Sequence, residues 1–182
     1  MKPETELSTL SLALLGLISQ RPLTGYDLRK IFQTTPMGHF SSSPGAIYPA
    51  LRRLEEAGWI RSVTKESRTR RQRTIYEITA RGRKALQEHL SRTVTSEDVT
   101  WHMDDLMLRF AFMDGVIGRE MAVRFLRDFA ARIDAHVAEL RGYFESAKSI
   151  LPPCGRLAME SGIQNYEMYA QWARRAMDEL RK

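Results

Sequence analysis

One segment, residues 43–60, leaves the chain few options. It reads Ser-Pro-Gly-Ala-Ile-Tyr-Pro-Ala-Leu-Arg-Arg-Leu-Glu-Glu-Ala-Gly-Trp-Ile. Ser43 can cap a helix, and Pro44 suits the first helical position, where a missing N–H costs nothing. Ile47, Leu51 and Leu54 recur at helical spacing, so one stripe of this helix must be covered by something apolar. Gly58 ends it. Extended segments are predicted over Trp59 to about Lys65 and over Arg73 to Ile78, on either side of the basic turn Arg68-Thr69-Arg70-Arg71-Gln72-Arg73. Helix, strand, cationic turn and strand, in that order, are the parts of a winged helix-turn-helix. That module places one helix in a DNA groove and a charged hairpin on the phosphates beside it.

The flanking residues supply the rest of such a module. Leu7 to Ser19 is almost wholly apolar and stops at Arg21-Pro22, as a helix central to a core does. Thr24 is an N-cap signal for a second helix, Gly25 to about Phe32, and Thr34 to Ser43 reads as a turn or loop. Thr79 is an N-cap signal for a fourth helix, about Ala80 to Ser91. The charge is divided in the same sense. Residues 1–92 hold 16 Lys/Arg against 8 Asp/Glu, whereas residues 93–182 hold 12 against 14. A polyanionic partner therefore suits the first half, although an Arg-rich surface also serves solubility.

The second half is helical in pattern throughout. Thr93 to Thr100 is rich in Thr and Ser and is expected to be a linker, extending to residue 104, with a short helix from Asp105 to Met113 after it. Between Gly118 and about Leu151, Leu126, Ala130, Ile133, Val137, Leu140, Phe144, Ala147 and Leu151 are spaced alternately four and three. After Pro152-Pro153 the device repeats through Met159, Ile163, Tyr166, Ala170, Ala173, Met177 and Leu180. Such seams pack helix on helix, both within a chain and between two copies. The expected fold class is mostly α: a winged helix-turn-helix with a two-stranded wing over residues 1–92, a linker over 93–104, and an all-helical, coiled-coil-like dimerisation domain over 105–182.

Candidate functional residues follow from this layout. On the outward face of the helix after Ser43, the small residues Ser42, Ser43, Gly45 and Ala46 permit close approach to base edges. Tyr48, Arg52 and Arg53 offer a hydroxyl and charge to phosphates. Ser41 before it, and Tyr26 and Lys30 on the second helix, belong to the same expected surface. Lys65, Arg68, Arg70, Arg71 and Arg73 place five cations around one hairpin tip, where mutual repulsion is relieved by an anion, and Arg has the planar fork for phosphate or a narrow minor groove. Trp101, His102, Met103, Phe110 and Phe112 form an aromatic and sulfur-rich group that reads either as an effector pocket or as plain core. Leu126, Ile133, Val137, Leu140, Phe144, Tyr166, Trp172 and Met177 are the expected dimer contacts.

Other classes of function find little support. His39, His89, His102 and His136 are scattered, with none at metal-ligand spacing from another or from Cys154, so no metal or cofactor is expected. No Gly-rich phosphate loop or nucleophile elbow occurs, and no enzymatic constellation emerges. Asp104-Asp105 and Glu55-Glu56 read as solvated charge, since neighbours on a helix point apart. A single cysteine suits a reducing cytoplasm, and the apolar run from Leu10 to Ile18 is too short to span a bilayer.

Four motifs in order now give a resemblance. Residues 43–58 are similar almost throughout to the recognition-helix signature of the PadR family of bacterial transcriptional regulators. Leu14-Leu15-Gly16-Leu17-Ile18 and Thr24-Gly25-Tyr26-Asp27-Leu28 resemble that family's first two helices, and Tyr76-Glu77-Ile78-Thr79-Ala80-Arg81-Gly82 its wing exit. Leu106-Met107-Leu108-Arg109-Phe110, and Gly162-Ile163 with Trp172, look more weakly like the longer branch. The resemblance implies a cytoplasmic homodimer on palindromic double-stranded operator DNA, a repressor released by a small, often aromatic, effector. A winged helix serving only as a protein-interaction module is the alternative.

Overall fold

Helix α1 (Thr9–Gln20) is buried along almost its whole length, from Ser11 to Ile18, because a helix apolar on every face can be stable only where every face is covered. The structure, a computed structural model, describes residues 7–39, 43–65 and 73–182. Around α1 pack helices α3 and α4 and the third strand of a small sheet. The chain divides into two units, one of residues 1–92 with 115–117, the other of residues 93–114 with 118–182.

In the first unit each helix begins where its capping chemistry sits. Ser8 accepts the Ser11 N–H at 3.3 Å to start α1. After the two-residue strand β1 (Leu23–Thr24), Thr24 and Asp27 form a reciprocal capping box that starts α2 (Gly25–Thr34). A short 3-10 turn, Pro36–His39, follows. Ser43 caps α3 (Pro44–Glu56), which turns Ile47, Ala50, Leu51 and Leu54 inward. Its C-terminus is a Schellman motif. The Gly58 N–H reaches the Glu55 carbonyl at 2.8 Å and the Trp59 N–H the Leu54 carbonyl at 2.9 Å, with Gly58 at φ 69°.

Strands β2 (Ile60–Lys65) and β3 (Arg73–Ile78) pair antiparallel, from Ile60 opposite Ile78 to Lys65 opposite Arg73. The expected two-stranded wing has a third member. Leu23 and Thr24 pair with Tyr76 and Ile75, so the order is β1-β3-β2 and β3 is central. Helix α4 (Ala80–Leu90) then starts at a junction of unusual closeness. The Thr79 N–H reaches the Trp59 carbonyl at 3.0 Å, and the Thr79 hydroxyl reaches the Gly58 carbonyl at 2.7 Å while accepting the Gly82 N–H at 3.0 Å. A Cβ at Gly82 would lie 1.9 Å from the Trp59 carbonyl oxygen.

The second unit corrects the expected linker. Residues 96–101 form helix α5 (Ser96–Trp101), opened by a second capping box, Thr95 with Asp98, and Val94 and Val99 are buried. Helix α6 (Met103–Ile117) runs through Asp114-Gly115 and stops instead at Gly118, whose φ is 88°. Helices α7 (Arg119–Ala147) and α8 (Pro153–Leu180) form a long hairpin joined by the ion pairs Arg141–Glu167 and Asp134–Arg174. The order of those partners makes the two helices antiparallel. Among the described residues no helix is long and apolar enough to cross a membrane.

The hairpin also corrects two expected dimer contacts. Leu126 and Ile133 are fully buried within the chain itself, because the seam is covered first by the helix a short turn away. Val137, Leu140, Phe144, Tyr166, Trp172 and Met177 are half-buried.

Replacing Gly82 with Ala forces the Trp59 carbonyl away from α4. We expect a loss on the order of 3 kcal/mol in denaturant unfolding, because the clash is with backbone that cannot rotate aside. A loss below about 0.5 kcal/mol would show that the junction yields without strain.

Candidate nucleic-acid interface

The buried stripe of α3 determines which side chains face outward. With Ile47, Ala50, Leu51 and Leu54 against the core, Ser43, Gly45, Tyr48, Pro49, Arg52 and Arg53 are exposed, and Ala46 is half-buried. Ser43 accepts the Gly45 N–H at 3.2 Å. Pro49 lies inside the helix and has no N–H to give the Gly45 carbonyl one turn earlier, so the ladder is interrupted on this outward side. The first turn of α3 therefore presents little bulk, and its later turns present two guanidinium groups.

Helix α2 crosses close to α3 through a glycine. A Cβ at Gly25 would meet the Tyr48 ring at 2.7 Å, so the ring lies against bare backbone at the start of α2. Tyr48 stays 48% exposed, which leaves its upper edge available while its body is held. Tyr26 is 69% exposed, and Lys30, one turn on, shares its face. Both follow Gly25, against which the Tyr48 ring of α3 lies.

The wing is tied to α3 by a contact that sequence reasoning missed. Glu55, read as solvated charge, accepts the Ser62 N–H of the edge strand β2 at 2.9 Å. Across the strands, Arg61 donates to Glu77 at 2.8 Å. Behind them, burial raises the Tyr76 hydroxyl above its ordinary 10.0, and the nearby Glu55 carboxylate adds to the effect. Tyr76 is therefore an uncharged O–H at neutral pH. The signal for Glu55 was its place in the last turn before Gly58, within reach of the strand that the Schellman turn launches.

Charge around the site is unevenly matched. Among the described residues no acidic group pairs with Arg52 or Arg53, whereas Arg61 is held by Glu77. Arg73 is exposed at the start of β3, and Lys65 ends β2 opposite it. Ser41, Ser42, Arg68, Arg70 and Arg71 lie outside the described residues. The exposed surface of α2, α3 and the wing root thus offers hydroxyls, small residues and guanidinium groups together, a set suited to a phosphate backbone flanking a groove.

The expected effector group is not gathered in this structure. Trp101 is 75% exposed and His102 is exposed, whereas Phe112 is only 3% exposed. Phe110 turns instead to Phe125, at 6.2 Å between ring centroids, and to Trp172, at 5.3 Å edge-on. Phe129 extends this set to Tyr169 at 6.3 Å. Trp101 ends α5 while Phe110 and Phe112 lie within α6, two helical positions and so about 200° apart.

The two halves of the chain match two different family models. Residues 14–88 match the Transcriptional regulator PadR-like family, and residues 104–181 match the family Virulence activator alpha C-term. The negative transcriptional regulator PadR of Bacillus subtilis is 24% identical over 174 residues, 91% of this chain and 94% of its own. The crystal structure of Bacillus subtilis PadR in complex with operator DNA aligns over 95% of this chain and 99% of its own, at 25% identity and a TM-score of 0.43. That of the same protein in complex with p-coumaric acid aligns over 96% and 100%, at 24% identity and a TM-score of 0.40.

The capping box that starts α2 is pH-sensitive in a defined direction. The Thr24 hydroxyl, 2.7 Å from the Asp27 carboxylate, and then the Thr24 N–H hold that group below its ordinary 3.8, with smaller help from Arg21 and Arg73. A lowered folded-state value makes the stabilisation whole above 3.8 and lost as pH falls below it. Asp27→Ala should cost about 1 kcal/mol at neutral pH, and the difference should close towards pH ~2. Melting curves at both pH values check this, and an undiminished difference in acid would remove the carboxylate from the cap.

Proposed function

We propose that the chain, whose residues 14–88 match the PadR-like family of transcriptional regulators, is a member of that family and a homodimeric repressor that holds palindromic operator DNA and releases it on binding a small effector. The observation that carries the DNA reading is the outward face of α3: small residues in its first turn, then Arg52 and Arg53 exposed without an acidic partner among the described residues. In this reading α3 enters the major groove, with Ser41, Ser42, Ser43, Gly45 and Ala46 nearest the base edges. Tyr48, Arg52 and Arg53, together with Tyr26 and Lys30 of α2, hold phosphates. Lys65, Arg68, Arg70, Arg71 and Arg73 put the hairpin on the backbone or in the minor groove.

The dimer reading is supported by apolar surface that the hairpin leaves uncovered. Tyr143, Ile150, Leu157 and Met168 are each more than half exposed, beside the half-buried Leu140 and Phe144. Exposed apolar patches of this kind are normally covered by a partner. Two modules at a fixed separation also read two half-sites, which one module cannot do. Repression and release by an effector rest on the sequence resemblance and on the Bacillus subtilis relative, a negative regulator. The second half matches a family named for a virulence activator, so the sign of control needs its own assay.

Selection from a random DNA pool at near-physiological salt should return a palindrome with fixed half-site spacing. Arg52→Ala with Arg53→Ala should weaken binding about tenfold or more, and flatten the log K against log salt slope by about 0.9 for each phosphate contact removed. No enriched sequence would favour a protein-interaction module instead. A reporter behind the selected operator should rise when the regulator is removed; a fall would make the protein an activator.

Leu140→Asp with Phe144→Asp should give monomers in sedimentation that keep their helical circular dichroism and bind a single half-site poorly. Dimers persisting in that variant would place the interface elsewhere.

A further inference from the structure

Where α7 begins and α8 ends, the second unit has a cleft of about 570 Å³ that the DNA reading does not use. Arg119, Glu120, Val123, Arg124 and Arg127 line one side of it, and Leu180 and Arg181 the other. The α7 residues recur at one, four, five and eight positions, so they share a face. By the register of the Arg141–Glu167 and Asp134–Arg174 pairs, α8 ends alongside the third turn of α7, and four arginines line the space between that end and the start of α7.

That convergence runs against the local electrostatics. The cleft holds four Arg and one Glu, in a half of the chain that carries more acidic than basic residues. Arg119 opens α7, where the helix dipole favours negative charge rather than positive. The partners these cations have are weak. Arg181 stands 3.7 Å from Asp178, and Arg124 is 3.9 Å from the Met121 sulfur. Pairs as exposed as these contribute little. Val123 and Leu180 add an apolar lining between the charges.

An anion with an apolar body answers both features at once. We propose that this cleft binds a small organic anion, a carboxylate or phosphate on a short apolar or aromatic group. Arginine forks accept either head group in a bidentate manner, and Val123 with Leu180 covers the body. The bound anion would tie the early turns of α7 to the last turn of α8 at the open end of the hairpin. The cleft lies wholly within the second unit, and its test needs no DNA.

The experiment is calorimetric titration of the full chain with phenyl phosphate, benzoate and inorganic phosphate at matched ionic strength. Saturable binding of phenyl phosphate or benzoate is expected, with inorganic phosphate about tenfold weaker, and the tighter of the two organic probes identifies the head group. Arg124→Gln with Arg127→Gln should weaken that binding about tenfold or more, whereas Arg132→Gln, an exposed arginine outside the cleft, should leave it unchanged. Leu180→Glu, near the chain end, should abolish it as well. Without probe, the double variant should melt at or above the parent at low salt, because like charges have been removed. The proposal is overturned by an absence of saturable binding, by equal loss in the Arg132 control, or by inorganic phosphate binding as tightly as phenyl phosphate.

Discussion

The first unit depends on the contact between Gly82 and the Trp59 carbonyl. Four elements meet there: the end of α3, the start of β2, the end of β3 and the start of α4. Only a residue without Cβ lets α4 lie so close, and the Thr79 hydroxyl then satisfies the Gly58 carbonyl left by the Schellman turn. A looser junction would leave the Gly58 carbonyl without its donor and the Gly82 N–H without its acceptor. With it in place, the exit of α3 and the base of the wing have one arrangement, which is what a surface built from both requires.

Electrostatics on that surface follow from packing rather than from charge count. Arg61 lies opposite Glu77 in the strand register and is neutralised there. Arg52 and Arg53 follow the buried Leu51 on α3, and the stripe that buries Leu51 and Leu54 turns them away from the core. The same reasoning distinguishes Glu55 from Glu56. Adjacent on the helix, they point apart, and Glu55 meets the Ser62 amide while Glu56 is exposed. Paired letters in a sequence conceal such differences of role.

Local chemistry made much of this legible. Ser43, Thr24, Thr79 and Gly58 mark helix ends because each satisfies or frees a backbone group within a few residues of itself. The strand Arg73–Ile78 is bounded as its composition predicts. Tyr26, Lys30, Tyr48, Arg52 and Arg53 are exposed where helical periodicity puts them. What was not legible depended on distant partners. Leu23 and Thr24 are a strand only because β3 lies beside them. The Thr95–Asp98 box was a readable signal hidden by the polar composition around it. The seam of α7 was plain from spacing, but a heptad pattern does not say which helix covers it, so Leu126 and Ile133 were assigned to a second copy. Phe125 and Phe129, a second buried line on α7, show that its apolar face is wider than a two-helix seam.

The Glu55 bond to the edge strand has a mechanical meaning. Together with the Schellman turn and the Thr79 junction, it makes the α3 exit and the wing base a single stiff piece with no soft joint between them. A protein that reads DNA with both tools could not then be switched by opening the angle between them. In the proposed dimer, control would work like a calliper, altering the span between two such pieces while each keeps its shape.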